Sequence, residues 1–354
     1  MILNRSTYFA FIFLFLLIGK TLADNGNADK DEIRIGIIPF GNYTGTDEAR
    51  IIMLPIIENS LKKQYTNILT SSEIRNTLRS YRIRAAGFIS FEDAQILKEN
   101  LGITHLLLGS LDFFDTTNIE VGVSARIVEI DSLKIIWASS ASATGLDSES
   151  LLGLGRIDKI EKLIKKAVDE CFSKLNENLF GNNTKKQNNK YKAKWALVPF
   201  DNFSSNRNAG PVVDNVLLTE LHNQGIEILE PGVVLDIFRR YNRLPRGQVD
   251  LQVINDLQTI NDVDLIVTGA VEKFQQRSSR SPGSTPIFEF DARIINARTG
   301  TVLTTEALSG LGNDYETIFK MGTVNSLGDL IKKMSWKLIV KLNQKIKKSY
   351  FAKR

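Results

Sequence analysis

Apolar positions along this 354-residue chain fall into two series that repeat each other. The first opens with Ile35-Gly-Ile-Ile-Pro-Phe-Gly-Asn42, a near-continuous apolar run of the kind that forms a central strand covered on both faces. Pro39 has no N–H for a sheet ladder and ends it. The pattern returns 160 residues later as Trp195-Ala-Leu-Val-Pro-Phe-Asp-Asn202. A helix is expected next, over about Ala49 to Lys63, with Ile52, Leu54, Ile57 and Leu61 as its apolar positions. Its counterpart carries Val212, Val216, Leu217 and Leu221 and is closed by Gly225. Short strands Ile68-Leu69 and Ile228-Leu229 lead into a second helix, which starts at Ser71 in one copy and Pro231 in the other. Ile74, Leu78 and Tyr81 are expected in its core face, matched by Val234, Phe238 and Tyr241. Ser90 and Asp250 cap a third helix, where Phe91, Ala94 and Leu97 correspond to Leu251, Ile254 and Leu257.

Strongly apolar strands follow at Ile103–Leu111 and Val263–Val271, with Gly109 and Gly269 still 160 residues apart. Then the copies diverge. The first has only Asp115-Thr-Thr-Asn118, whereas the second has the polar loop Gln275 to Pro286, and beyond it the offset becomes 167. A hairpin comes next. Val121, Val123, Ala125 and Ile127 alternate with Gly122, Ser124 and Arg126, and Phe288, Phe290, Ala292 and Ile294 alternate with Glu289, Asp291 and Arg293. Alternation of period two predicts one buried face and one solvated face. Turns fall at Asp131-Ser-Leu133 and Arg298-Thr-Gly300, and the return strands are Lys134–Ser142 and Thr301–Ala307. Each copy closes on a helix with a single apolar stripe. In the first it runs Ile157, Ile160, Leu163, Ile164, Ala167, Val168, Cys171, Phe172 and Leu175; in the second it runs from Val324 and Leu327 to Leu342.

The fold class is therefore α/β, an α+β sandwich. Two tandem β-α-β-α-α-β-β-β-α domains each form a mixed sheet with packed helices. Domain 1 is placed at 33–178 and domain 2 at 191–346. A polar linker at 179–190 joins them, a flexible tail spans 24–32, and a basic tail spans 347–354.

The amino terminus reads as a targeting segment. Arg5 gives a basic start, Tyr8–Gly19 an apolar run that Lys20 closes, and Thr21-Leu22-Ala23 a small-residue cleavage site. A cleaved signal peptide over 1–23 is the expectation, with an uncleaved anchor as the alternative. Its removal lowers the formal charge from +5 to +3, since Arg5 and Lys20 are lost. So small a balance gives no reason to expect nucleic acid or another strong polyanion as partner. Basic residues concentrate instead at the carboxyl end, in Lys341, Lys345, Lys347, Lys348, Lys353 and Arg354, where an anionic membrane or cell wall could be met. A single cysteine in an exported chain excludes an intramolecular disulfide.

Duplication supplies an internal control on candidate chemistry, because a core position should be apolar in both copies. Cys171 aligns with Leu338 and His105 with Leu265, so both are expected to be structural. His222 aligns with Lys62 and is expected to be exposed. Two separated histidines make neither a three-histidine metal site nor a Cys-His pair. Arg126 and Arg293 recur at one strand position, where each is expected to pair with a carboxylate; binding of a shared anion is the sharper reading. Gly153-Leu-Gly155 reads as a connection rather than a phosphate cradle, since no Gly-Lys-Ser/Thr follows. Asn42, Asn182 and Asn202 stand in glycosylation-type triplets, but Asn42 and Asn202 are expected to serve as turn residues. No catalytic, cofactor-binding or metal residue is assigned, no cofactor is expected, and the chain is not expected to be an enzyme.

Pro39-Phe-Gly-Asn42, Gly109 at the end of an apolar strand, Arg126-Ile-Val-Glu-Ile-Asp131 and Arg293-Ile-Ile-Asn-Ala-Arg-Thr-Gly-Thr-Val302 together resemble the superfamily that joins the curli secretion protein CsgG, the TolB amino-terminal domain and the LpoB-type activators of cell-wall synthases. The resemblance covers nearly the whole mature chain, twice. It implies a bacterial envelope protein, periplasmic or outer-membrane associated, that works by protein–protein contact. The chain departs from the pore-forming branch. It has no lipid-bearing cysteine after the apolar run, and neither Gln275–Pro286 nor Gly312–Met321 suits a strand pair that crosses a bilayer, each strand of which needs about 9–11 residues. The expected function is a periplasmic adaptor or scaffold that docks an envelope protein through a sheet edge, the Gln275–Pro286 loop or the basic tail. Two alternatives stand beside it. One is a homo-oligomeric component of an outer-membrane-associated secretion or assembly apparatus, and the other a binding module for cell-wall polymer or a small ligand.

Overall fold

The computed structural model describes residues 33–147, 157, 159–175, 193–245, 247–278, 281, 283–317 and 322–349. The targeting segment, the inter-copy linker, Gly153-Leu-Gly155 and residues 350–354 lie outside these. Each copy has its own six-stranded mixed sheet, as the two-domain reading requires. In the first copy the elements are β1 (Ile35–Ile37), β2 (Gly41–Asn42), α1 (Glu48–Lys62), β3 (Ile68–Leu69), α2 (Ser71–Ser80), α3 (Phe91–Leu101), β4 (His105–Asp115), β5 (Glu120–Glu129), β6 (Ile135–Thr144) and α4 (Ile160–Phe172). In the second they are β7 (Lys194–Leu197), β8 (Asp201–Asn202), α5 (Ala209–Asn223), β9 (Glu227–Ile228), α6 (Pro231–Arg240), α7 (Leu251–Thr259), β10 (Leu265–Gln275), β11 (Ile287–Asn296), β12 (Val302–Leu311) and α8 (Leu327–Ser349). Among the described residues, no helix is long and apolar enough to cross a membrane.

Strand orders are β3-β1-β4-β5-β6 and β9-β7-β10-β11-β12. β1 and β7 lie parallel to their neighbours, and the late three strands form an antiparallel meander. Short β2 and β8, which the apolar pattern does not predict, add to β4 and β10 just past the prolines. The first strand is shorter than the apolar run, because Pro39 cuts the ladder.

Each sheet has a near face, covered by its own two long helices, and a far face. In the first copy α1 and α4 seal the near face around Ile35, Ile37, Met53, Ile57, Ile127, Trp137, Leu163 and Phe172. In the second, α5 and α8 do the same through Val213, Leu217, Phe288, Phe290, Leu330 and Leu338. The far faces differ. Helices α5 and α8 are apolar on two sides and also pack onto the far face of β4–β6, so one core runs from Leu106, Leu108 and Phe113 through α5 and α8 to the second sheet. The molecule is thus layered helix–sheet–helix–sheet–helix, and α6 and α7 form the last layer over part of the second sheet's far face.

Local expectations need four corrections. Gly122, Ser124 and Arg126 do not face solvent; they are buried where α5 and α8 dock. Tyr81 is half exposed, since it stands at the end of α2 with its hydroxyl donating to Asn100 Oδ1 at 3.0 Å. Phe91 and Leu251 occupy the first positions of α3 and α7, ahead of the buried stripes, and are exposed. Thr70, not Ser71, precedes α2 as its cap residue; Glu73 Oε2 accepts from Thr70 N at 2.7 Å and Thr70 Oγ1 at 2.6 Å. Ser90 caps α3 as expected, its Oγ accepting from Asp93 N at 3.0 Å.

Candidate interaction surfaces

The two copies meet through polar contacts set into an apolar interface. Arg126 Nε donates to Glu230 Oε2 at 2.7 Å, and its Nη2 donates to Gly87 O at 3.0 Å and to Glu230 Oε1. Both side chains are almost fully buried. Such a pair adds little net stability over an apolar one, but loss of either member strands a charge in the interior. The expected carboxylate partner of Arg126 is therefore found, and it comes from the other copy.

Glu120 is buried at the amino terminus of α8. It accepts from Leu327 N at 2.8 Å, Gly328 N at 3.5 Å and Gln276 Nε2 at 2.8 Å. The two backbone donors are orphan N–H groups at the positive end of a helix, so a carboxylate suits the place. Burial nevertheless pushes its pKa up to about 7. Asp112 accepts from Ser110 and Ser124 hydroxyls, both at 2.5 Å, and burial pushes it up to about 7 as well. Ser326 Oγ donates to Ser142 Oγ at 2.7 Å, Lys332 Nζ to Ser140 O at 3.0 Å, and Asn215 Nδ2 to Ser110 Oγ at 3.0 Å. Small residues let the layers approach. A Cβ on Gly122 would lie 2.4 Å from the Phe113 ring, and one on Gly328 would lie 2.6 Å from Ser142 Cβ. Phe113 itself stacks on Phe274 of the second copy, with centroids 5.9 Å apart.

The equivalent far face over β10–β12 carries no such layer among the described residues. Glu272, Lys273, Thr305, Ala307 and Ser309 are exposed there, and Glu289 and Asp291 half exposed. Lys273 Nζ donates to Glu289 Oε1 at 2.9 Å, the same cross-strand pair that Phe113 and Gly122 form in the first copy. Arg293 Nη2 donates to Gly247 O, as Arg126 Nη2 does to Gly87 O, but its buried Nε has no partner. The Gln275–Pro286 loop is not free of the fold: its Gln276 reaches back to Glu120. Of the carboxyl-terminal lysines, Lys341 lies 3.7 Å from Glu306, and Lys345 pairs with the same carboxylate.

At the junction of the copies, α8 and the segment before it border a groove of about 860 Å³ that includes Tyr315, Val324, Trp336 and Glu220. Sequence reasoning did not find it.

The sequence candidates fall elsewhere. Cys171 Sγ is buried 3.7 Å from Ser139 O, and burial pushes its thiol up to about 12, so it acts as a small hydrophobe. His105 is partly buried with Nδ1 2.9 Å from Thr104 Oγ1, and burial lowers its pKa. The alignment with Lys62 predicts an exposed His222, but it is half buried at the end of α5, which pushes its pKa down to about 4. Asn42 and Asn202 are turn residues. Their Nδ2 groups donate to Thr46 O at 2.8 Å and Asn206 O at 2.7 Å, and their Oδ1 atoms accept from the hydroxyls of Thr44 and Ser204 at 2.7 Å. Missed altogether were Glu230, Glu120, Asp112 and Trp336. For two of them the aligned partner offered a signal: Thr70 stands against Glu230 and Asp169 against Trp336.

No family model matches the chain, and no curated protein matches it. Among solved structures it is similar to the lipoprotein GNA1162 from Neisseria meningitidis, at 18% identity over 43% of this chain and 99% of that one, with a TM-score of 0.32. It is also similar to the PelC dodecamer from Paraburkholderia phytofirmans, at 14% identity over 41% of this chain and 85% of that one, with a TM-score of 0.29. A third is the LpoB C-terminal domain from Escherichia coli, at 6% identity over 33% and 82%, with a TM-score of 0.24.

Proposed function

We propose that the chain is an exported, non-enzymatic envelope protein, a periplasmic adaptor or scaffold that acts by protein–protein contact. One observation carries this reading: the far face of the fold's sheet already works as a docking surface within the chain. In the first copy it receives α5 and α8; in the second the same face is left open beyond α6 and α7, at Glu272, Lys273, Thr305, Ala307 and Ser309. The open face bears both charges and short polar side chains, and a polar partner surface would suit it. A photo-crosslinking side chain placed at Thr305 or Ala307 tests the reading in cells. The expected result is a defined adduct with one envelope protein, absent when the probe is moved to Lys62 on α1. No adduct, or the same adducts from Lys62, overturns it.

A second reading, assembly into an oligomeric apparatus, has its own observation in favour. Ile51, Ile52, Pro55 and Ile56 give α1 an apolar outer stripe, and Ile51 is 72% exposed. The positions equivalent to Ile52 and Ile56, Val212 and Val216, are buried between the sheets. A strict monomer by light scattering at high concentration removes this reading.

A further inference from the structure

The groove beside α8 adjoins the domain interface, with Lys332 serving both, and adds features of its own. Trp336 stands on its wall with 54% of its surface exposed, an unusual cost for an indole on a helix otherwise flanked by lysines. The other two tryptophans, Trp137 and Trp195, are each 3% exposed. Tyr315 and Val324 extend the apolar wall. Glu220 lines the groove and is 6% exposed, yet its Oε1 has no hydrogen-bond partner. A buried carboxylate oxygen left unmatched is costly, and a ligand hydroxyl would satisfy it. Asp329, Asp147 and Glu220 are balanced around the groove by Lys332, Lys333 and Lys337, so neither a polyanion nor a polycation is favoured. Burial also raises the pKa of Glu220 and pushes Asp329 up to about 7, which leaves Asp329 able to donate as well as accept near neutrality.

We infer that this groove binds a neutral, polyhydroxylated ligand with an apolar face, an oligosaccharide, which lies flat on Trp336 and hydrogen-bonds Glu220 and Asp329. An aromatic plate matches the C–H face of a pyranose, while convergent carboxylates and ammonium groups match its hydroxyls. The volume is of the size that small-ligand sites have. The site is private to the second copy. Asp169 and Glu170 occupy the first-copy positions of Trp336 and Lys337, so the groove is not a by-product of the duplication. It is also separate from the open face over β10–β12, and the protein-docking reading stands or falls without it.

Because the other two tryptophans are buried, Trp336 is the reporter. Chitotriose and maltotriose are titrated into the full mature chain while emission and acrylamide quenching are followed. The expected result is a blue shift and protection from quencher with a Kd of about 10 μM to 1 mM for at least one of them. Trp336→Ala should abolish the response, and its residual affinity by calorimetry should fall at least about tenfold. Glu220→Gln should weaken binding about fivefold without changing the spectrum of the free protein. Trp336→Phe, which keeps an aromatic plate, should retain calorimetric binding within about threefold. No heat and no spectral change with either saccharide up to about 10 mM overturns the inference. So does unchanged calorimetric affinity in Trp336→Ala, or a response to a neutral extended peptide in place of both saccharides.

Discussion

Strands β4–β6 and β10–β12 share a ladder, a bulge in the same place and the same arginine, yet they present opposite far faces. At one cross-strand position the first sheet has Phe113 over Gly122 and the second has Lys273 bonded to Glu289. Ser124 and Ser140 become Asp291 and Ala307, and Asp112 becomes Glu272. On the helical side, α8 has Gly328 in its first turn where α4 has Glu161, and α6 is preceded by Glu230 where α2 is preceded by Thr70. Glycine and serine admit a second helical layer at contact distance, and a charged pair keeps one out. The lesson is that duplication gave two equal surfaces and the sequence then specialised them. One became interior, and the other was kept wet.

Exchange of these residues should break the difference, and most severely at Gly122. Gly122→Glu puts a carboxylate into an interface where even a Cβ meets the Phe113 ring at 2.4 Å. The expected loss is on the order of 5 kcal/mol, overpacking and an unpaired buried charge together. In urea, Trp137 and Trp195 fluorescence should then report two separate transitions, one per copy. Next in size is Glu230→Ala. It leaves the Arg126 guanidinium buried without its carboxylate and should cost about 3–5 kcal/mol, whereas Thr70→Ala at the equivalent position should cost about 1 kcal/mol as a lost cap. Replacing Arg126 and Glu230 together with Met and Leu should recover most of the loss. A double mutant no better than Glu230→Ala would show that the pair has no coupling.

How much of this the chain's sequence disclosed follows from the range of the forces involved. Period and punctuation are local, so Pro39, the Asn42 and Asn202 turns, the α4 stripe and the offset of 160 residues found the fold, element by element. The tertiary partner of a polar residue is not local. Gly122, Ser124 and Arg126 alternate with apolar neighbours just as a solvated face would, and only the arrival of α5 and α8 buries them. A doubly apolar α5, with Val212 and Val216 on one side and Val213 and Leu217 on the other, was the available hint that a second surface had to cover it. The helix exceeds the stripe of about 100° that one sheet can bury. His222 misled for the same reason: Lys62 is at the surface of a helix with one partner layer, and α5 has two.

Titration should separate the two faces by a smaller amount. Asp112, Glu120 and Asp329, all close to the contact between the copies, are each held at about 7 by burial. A carboxyl whose folded pKa is raised contributes stability that is fully present below its unfolded value near pH 4 and lost as pH rises through the folded value. Stability in urea should therefore fall between about pH 4 and about pH 7, by about 1.4 kcal/mol for each unit that a group is held up. On the open face Glu289 shifts the other way, because the Lys273 hydrogen bond pulls it below its ordinary value. It favours the folded state above its unfolded value near pH 4 and loses the effect only as pH falls through the lowered folded value. Asp112→Asn should flatten the neutral slope and Glu289→Gln leave it unchanged. A slope indifferent to Asp112→Asn would place the titrating group elsewhere.

The smallest effect is the most discriminating. Glu289→Gly installs on the second sheet the residue that the first sheet uses for docking. Nothing is buried there to be disturbed, so the cost is an exposed ion pair and a glycine in a strand, about 1 kcal/mol. What should change is recognition. With Lys273→Phe added, the open face acquires the Phe113–Gly122 surface, and a concentration-dependent dimer should form in sedimentation, insensitive to salt because its contact is apolar. If the double variant stays monomeric while Gly122→Glu separates the copies, Phe113 and Gly122 are necessary for the inner interface without being sufficient for a new one. The specificity would then lie with the α8 amino terminus, whose partner Glu120 is replaced by Ile287 in the second copy, rather than with Glu230, since Arg293 stands where the first copy has Arg126.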